Sequence, residues 1–410
     1  MSGVEYRFLE PLDVLFLRGN KLFGDPGSFG ESLVPPWPSA AAGALRSRML
    51  ADDGVDFAAF AAGQVEHPAL GTPAQPGAFT VAAFHLARRD ADGRVEALIA
   101  PPADLVITED DKEKPGVRAL TPTAPAAGLL SSALFSHLPV LAEEVRRKPA
   151  SGYWLTETGW RNYLAGETPG AADLVKSREL WAIDARVGVG LDASTRRAAD
   201  GRLFSVEAVA MKKREHDPRQ GFDVGFLCGV RGAVPPVSGT IRLGGDGRAA
   251  AIHPAAFDPP KVDYDAIVRA RRCRLVLTAP GIFPGGWKLP GTNAEGSFQV
   301  GEVRGRVICA AVPRAEVVSG WDLAPVATFG TSKRAPRAEV VSGWDLALGQ
   351  PKSARRAAPT GSVYWLEELE ATAEQLRKLV EAGLWSDSWD DPQRRAEGFN
   401  NAALAAWPKY

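Results

Sequence analysis

Glycine and proline set the tightest limit on what this chain can fold into. With 42 Gly and 32 Pro among 410 residues, long uninterrupted helices are excluded as the main element, because proline removes a helical hydrogen bond and interior glycine weakens a helix. Between these breakers lie short runs rich in β-branched and aromatic residues, which reads as an α+β fold with long Gly/Pro-rich loops. The hydrophobic share of 45% and charged share of 24% are ordinary for a globular protein, and the length suits two domains.

The first such run, Val4 to Arg18, is a strand interrupted at Pro11. A loop with Gly19, Gly24, Gly27 and Gly30 follows, and then a helix to about Leu50 with Ser39 as its expected N-cap. Ala78 to Ala87 and Arg94 to Ile99 read as a hairpin turning at Asp90 to Gly93, with Asp104 to Thr108 expected to extend that sheet. Trp160 to Leu164 is helical, and Leu180 to Leu191 with Arg202 to Met211 forms a long central hairpin. Val224 to Val230, Ser238 to Leu243, Arg272 to Thr278, Val303 to Ala311 and Ser362 to Leu366 are further strands, followed by a helix from Thr372 to Ala382. The style repeats, and we expect two domains, 1–215 and 216–410, the first carrying the hairpin.

Catalytic patterns do not assemble. His67, His85, His137, His216 and His253 lack metal-ligand spacing, and Cys228, Cys273 and Cys309 form no Cys-x-x-Cys pair. Neither a phosphate-binding Gly-x-x-x-x-Gly-Lys loop nor a nucleophile elbow occurs, and Gly188 with Gly190 lacks the third glycine of a dinucleotide loop. The expectation is no catalytic site, no metal and no cofactor. Charges at Glu5, Arg7 and Glu10 interrupt any leader-like apolar core, and no apolar run has membrane-spanning length, so a cytoplasmic protein with no membrane partner is expected.

The formal net charge of −1 gives no whole-molecule basic field. Cations instead gather at glycine-rich or turn segments: Arg18 and Lys21 beside the first loop, Arg186, Arg196, Arg197 and Arg202 around the hairpin, Lys212 to Arg214 after it, and Lys352, Arg355 and Arg356 before Ser362. Glycine lets a backbone approach a phosphate closely while a neighbouring guanidinium donates charge-assisted hydrogen bonds. Ordinary solvated cations are the plainer alternative.

Three ordered blocks carry a resemblance. Pro11 to Arg18, Phe23-Gly24, Pro35-Pro-Trp-Pro-Ser39 and Ala42 to Arg46 resemble the opening of the third-subunit family of type III-B CRISPR Cmr complexes. Arg186-Val-Gly-Val-Gly-Leu-Asp192 through Glu207 is similar to that family's central hairpin, and Gly343 to Trp365 to its C-terminal block. Glu397-Gly398-Phe399-Asn400-Asn401 departs from it where the family is richer in glycine. The resemblance implies two ferredoxin-like (RAMP-type) domains and a non-catalytic subunit that binds the 5′ handle of the CRISPR RNA. It further implies docking of the large polymerase-type subunit onto the first backbone RAMP subunit, with target RNA met only indirectly. On this reading Arg18, Lys21, Phe23, Gly24, Ser39, Arg46, Arg186, Gly188, Arg196, Arg197, Arg202, Lys352, Arg355 and Arg356 contact RNA, with Trp37, Phe23 and Phe204 as stacking candidates.

Two other readings compete. A RAMP-fold endoribonuclease that processes precursor CRISPR RNA would place a histidine in the first strand or helix, and residues 1–50 contain none. A carbohydrate- or peptide-binding module would use the 11 Trp as a groove lining and would purify free of RNA. One feature stands outside all of these. Pro313 to Ala324 recurs residue for residue at Pro336 to Ala347, 23 positions later. Two identical copies are too few for a solenoid, so one unit is expected to be dispensable, with part of Pro325 to Val340 forming an exposed excursion.

Overall fold

The computed structural model describes residues 3–17, 29–30, 32–129, 131, 133–143, 147–192, 194–216, 221–313, 339–341, 344–345, 350–386 and 389–408. Strand β1 (Glu5–Pro11) leads into helix α1 (Pro38–Asp52), followed by the hairpin β2 (Thr80–Arg89) and β3 (Val95–Leu98). A short ladder of β4 (Leu105–Glu109) and β5 (Pro115–Ala119), helix α2 (Glu157–Leu164) and the long hairpin β6 (Trp181–Leu191) and β7 (Ala198–Met211) come next. The chain then returns through β8 (Asp223–Arg231), β9 (Thr240–Arg242) and β10 (Ala249–Pro254). These build a six-stranded sheet ordered β9-β10-β1-β8-β2-β3, antiparallel throughout.

The second sheet is β11 (Cys273–Leu277), β12 (Ser297–Val300), β13 (Val303–Ala311), β14 (Val363–Glu370) and β15 (Ala402–Ala405), with helix α3 (Ala373–Ala382) before the last strand. Its order is β12-β13-β14-β11-β15, again antiparallel. Helix α3 starts on a reciprocal cap: Thr372 Oγ1 accepts from the Gln375 N–H, and Gln375 Oε1 accepts from the Thr372 N–H at 2.8 Å. Such a cap is worth about 1 kcal/mol.

Period-two alternation decides the layering. Leu9, Phe226 and Cys228 point with Leu45 and Met49 of α1 into one cluster, whereas their neighbours Phe8 and Leu227 join Val276, Trp365 and Ala405 of the second sheet. Leu275, Tyr364 and Leu366 face the other way, onto Leu376 and Leu379 of α3. The layers are therefore helix, sheet, sheet, helix, and each buried Leu or Phe contributes roughly 1.5–3 kcal/mol. Helix α2 and the β4/β5 ladder close the side of the inter-sheet core through Leu105, Ile107, Trp160 and Tyr163.

Several expectations change here. The first sheet takes β8, β9 and β10 from beyond the 215/216 division, so it crosses that line, and the passage from one sheet to the other falls between residues 254 and 273. The segment expected to extend the first sheet instead pairs with Pro115–Ala119, since its own charged turn folds it back. Helix α1 begins two residues earlier than an N-cap at Ser39 indicated: Trp37 is the N-cap, without a side-chain cap bond, and Pro38 supplies the preset first-turn φ. Of the duplicated segment, Glu339–Val341 of the second copy pairs with Arg355–Ala357, and Trp344–Asp345 with Gln350–Pro351. Residues 314–338, which hold nearly all of the first copy and most of the expected excursion, lie outside the described residues.

Candidate nucleic-acid interface

The hairpin β6/β7 has two chemically different faces. Cross-strand register opposes Asp184 to Ala208, Arg186 to Val206 and Gly188 to Phe204. Phe204 lies over Gly188 so closely that a Cβ there would come within 2.4 Å of the ring, so glycine at 188 is what admits the aromatic. Arg186 donates from Nε (2.9 Å) and Nη2 (2.7 Å) to Asp184 Oδ2, which occupies much of its guanidinium. At the tip Asp192 accepts from the backbone and hydroxyls of Ser194 and Thr195, and these bonds hold its carboxyl down at about 2. That turn sets out Arg196, in a left-handed conformation, and Arg197; with Arg202 they are exposed and have no side-chain partner among the described residues.

The other expected contacts divide by environment. Arg18, Lys21, Phe23 and Gly24 lie outside the described residues. Ser39 is half-buried in the first turn of α1. Arg46 sits 5.1 Å over the Phe79 ring, where burial lowers its pKa, so its charge is engaged inside the fold. Lys352 is bound by the buried carboxylate of Glu397, which also pairs with Arg394 at 3.2 Å. Arg355 and Arg356 are exposed, on the strand that pairs with the second repeat copy. Trp37 packs with Ala357 and Phe399. The structure thus gathers Arg186, Gly188, Arg196, Arg197 and Arg202 on one hairpin and leaves Arg46 and Lys352 in structural roles.

The segment that departs from the family pattern faces inward. Asn400, with φ of 63°, accepts from the Ile282 N–H and donates to the Ile282 and Leu384 carbonyls, and Asn401 donates to the carbonyls of Val81 and Ala82.

Two cavities went unread in the sequence, because each is assembled from distant segments. A cavity of about 200 Å³ between the sheets is lined by Pro35, Trp37, His85, Trp154, Trp160 and Thr360. There burial pulls the His85 imidazole down to about 4, so it is neutral near pH 7. A shallower groove of about 630 Å³ gathers Arg271, Arg304 and Arg306 with Glu368 and Glu370. Its cations are partly balanced by acids, Arg271 lying 3.5 Å from Glu370 and Arg306 3.9 Å from Glu368. No group of three or more His, Cys, Asp or Glu side chains placed to hold a metal occurs among the described residues. No described helix is long and apolar enough to cross a membrane.

Fold and site together define an α+β protein of two stacked antiparallel sheets carrying a cation-tipped hairpin. A family model described as "CRISPR-associated protein (Cas_Cmr3)" matches residues 7–336 and 326–407. The chain belongs to that family and is a Cmr3-type protein. Among solved structures it is similar to a chain in the cryo-EM structure of the type III-B Cmr-beta bound to cognate target RNA and AMPPnP, state 1, with 12% identity, a TM-score of 0.46 and coverage of 97% of this chain and 98% of that one. A second is the type III-B Cmr-beta bound to cognate target RNA, with 13% identity, a TM-score of 0.43 and coverage of 97% and 96%. No curated protein matches the chain.

Proposed function

We propose that this chain is a non-catalytic subunit of a type III-B Cmr ribonucleoprotein complex, binding the 5′ handle of the CRISPR RNA and docking the large polymerase-type subunit onto the backbone, in antiviral defence. The observation that carries the RNA part is the hairpin tip. Arg196, Arg197 and Arg202 are exposed without side-chain partners among the described residues, on a ribbon thinned by Gly188 and Gly190. Single-stranded RNA needs cations along its backbone and room to splay its bases, and such a tip offers both. The whole-chain family match supplies the setting.

Two ferredoxin-like units fit the sheets. Taking β1, β2, β8 and β10 as strands one to four gives the spatial order four-one-three-two, and β11, β13, β14 and β15 give the same order in the second sheet. The first unit keeps the helix after its first strand and the second keeps the helix before its last. The non-catalytic part draws support from where the reactive groups sit: Cys228 and Cys273 are buried, with thiols pushed up to about 12, and His67 is tied to Asp53 and to the Ala69 and Leu70 amides.

The test is binding of two labelled RNAs, one with and one without the repeat-derived handle, to the full chain, together with incubation in Mg²⁺ or Mn²⁺. Handle-dependent binding without turnover is expected. Equal affinity for both RNAs overturns the handle reading, and divalent-dependent cleavage that a point mutation abolishes overturns the non-catalytic one.

A further inference from the structure

The face of the hairpin opposite Phe204 carries side chains that RNA recognition does not use. Ile183 (47% exposed), Val187 (69%), Val189 (44%) and Leu191 (60%) project at alternate positions of β6, with Leu203 (59%) opposite Val189 on β7. From Ile183 to Leu191 this strip is about 26 Å long at about 3.3 Å per residue. Contiguous apolar exposure of this kind marks an interaction surface.

The chemistry of the strip selects its occupant. None of the five side chains is aromatic, so there is no flat π-face for a base. Arg186 and Arg202 belong to the Phe204 face, and the one charge on the strip's own face, Glu207, is negative and accepts from the Ser32 N–H at 3.0 Å. Phosphate is unwelcome there. Among the described residues strand β6 is also the outer strand of its sheet, and between Trp181 and Leu191 it contains neither Lys nor Pro, residues that commonly block edge pairing. An unguarded edge beside an aliphatic, cation-free face fits an uncharged β-bearing surface of another protein subunit.

We infer that the hairpin is divided by face: its tip cations take RNA, while the Ile183–Leu191 strip is the seat of a neighbouring protein subunit of the complex, which covers the aliphatic side chains and pairs with the free edge of β6. This rests on the proposed membership of a Cmr complex.

The experiment co-expresses the full chain with the other subunits of its locus and compares wild type, V187D/L191D, the milder V187S/L191S, and a photo-crosslinking amino acid at Val189. The expected result is a V187D/L191D chain that melts like wild type and binds handle RNA equally well, yet assembles at least tenfold more weakly, with the serine pair between the two. The Val189 crosslink then joins the chain to another subunit's protein. Undiminished assembly of V187D/L191D, a crosslink to RNA, or a crosslink only to a second copy of this chain overturns the inference. Should V187D/L191D misfold, the serine pair and the crosslink decide. If wild type itself fails to assemble, the proposed function falls instead.

Discussion

Arg274 and Asp104, 170 residues apart, form an ion pair of 2.8 Å with side-chain exposures of 2% and 0%. Arg274 also donates to the carbonyls of Tyr163 and Ala406, and the Tyr163 hydroxyl donates to the other Asp104 oxygen at 2.9 Å. The guanidinium lies 4.0 Å over the Tyr163 ring. One network therefore ties the segment before β4 and the end of α2 to the interior strand β11 of the second sheet. Every charge in it is satisfied, which is the condition under which a buried pair is tolerated.

Removing one partner leaves the other buried and unpaired. Asp104→Asn is expected to destabilise the protein by about 3–5 kcal/mol, while the double variant D104N/R274M recovers much of that loss because no orphan charge remains. Urea unfolding of the two single variants and the double closes the cycle. A loss in the double variant equal to the sum of the two single losses would mean that the pair is not coupled.

The hairpin arginines separate by their partners. Arg196→Ala, Arg197→Ala and Arg202→Ala are each expected to weaken handle RNA binding and to lower the magnitude of the salt slope by about 0.7, the value per single-strand phosphate contact. Arg186→Ala is expected to leave the slope unchanged, since Asp184 already holds that guanidinium. Fluorescence anisotropy titrations at several salt concentrations measure both, and a full slope change for Arg186→Ala would show that RNA displaces Asp184.

Acid should weaken the fold through His85. Its pKa is about 4 in the folded chain against 6.5 ordinarily, so the unfolded state binds more protons between these values. The stabilisation is complete above about pH 6.5 and is lost as pH falls towards 4, by at most about 3 kcal/mol at 1.36 kcal/mol per pKa unit. Denaturant midpoints at pH 7, 5.5 and 4.5 for wild type and His85→Leu test this. The variant should lose that part of the acid dependence, and an unaltered pH profile would exclude His85 as its source.

What the sequence disclosed depended on distance along the chain. The strand at Val224 to Val230 is written as a short continuous apolar run and the turn at Asp90 to Gly93 in its local turn chemistry, and the structure places both as expected. The hairpin was legible for the same reason, but its apolar face was not singled out, although Ile183, Val187, Val189 and Leu191 stand at period two. Non-local pairing hid the rest. Nothing near Lys352 announces Glu397, nothing near Arg46 announces Phe79, and a division at 215/216 cannot reveal that β8 inserts between β1 and β2.

The duplicated segment yields the last prediction. Removing residues 313–335 or residues 325–347 produces the same chain, because the two copies are identical over 12 residues at a spacing of 23. The copy that remains leads directly into Pro351 and Arg355, as the second copy does now, so its Glu-Val-Val stays in register to pair with Arg355–Ala357. The family model itself matches in two pieces, 7–336 and 326–407, which meet between the start of one copy and the end of the other. A sheet that gives Val303–Ala311 and Val363–Glu370 adjacent places needs one connecting segment between them, and lengthening such a loop costs little, about 0.6 kcal/mol per doubling. The 23-residue deletion is therefore expected to leave the melting temperature within a few degrees of wild type and assembly intact, as read by differential scanning fluorimetry and co-purification. A large drop in melting temperature would mean that both copies are integral to the fold.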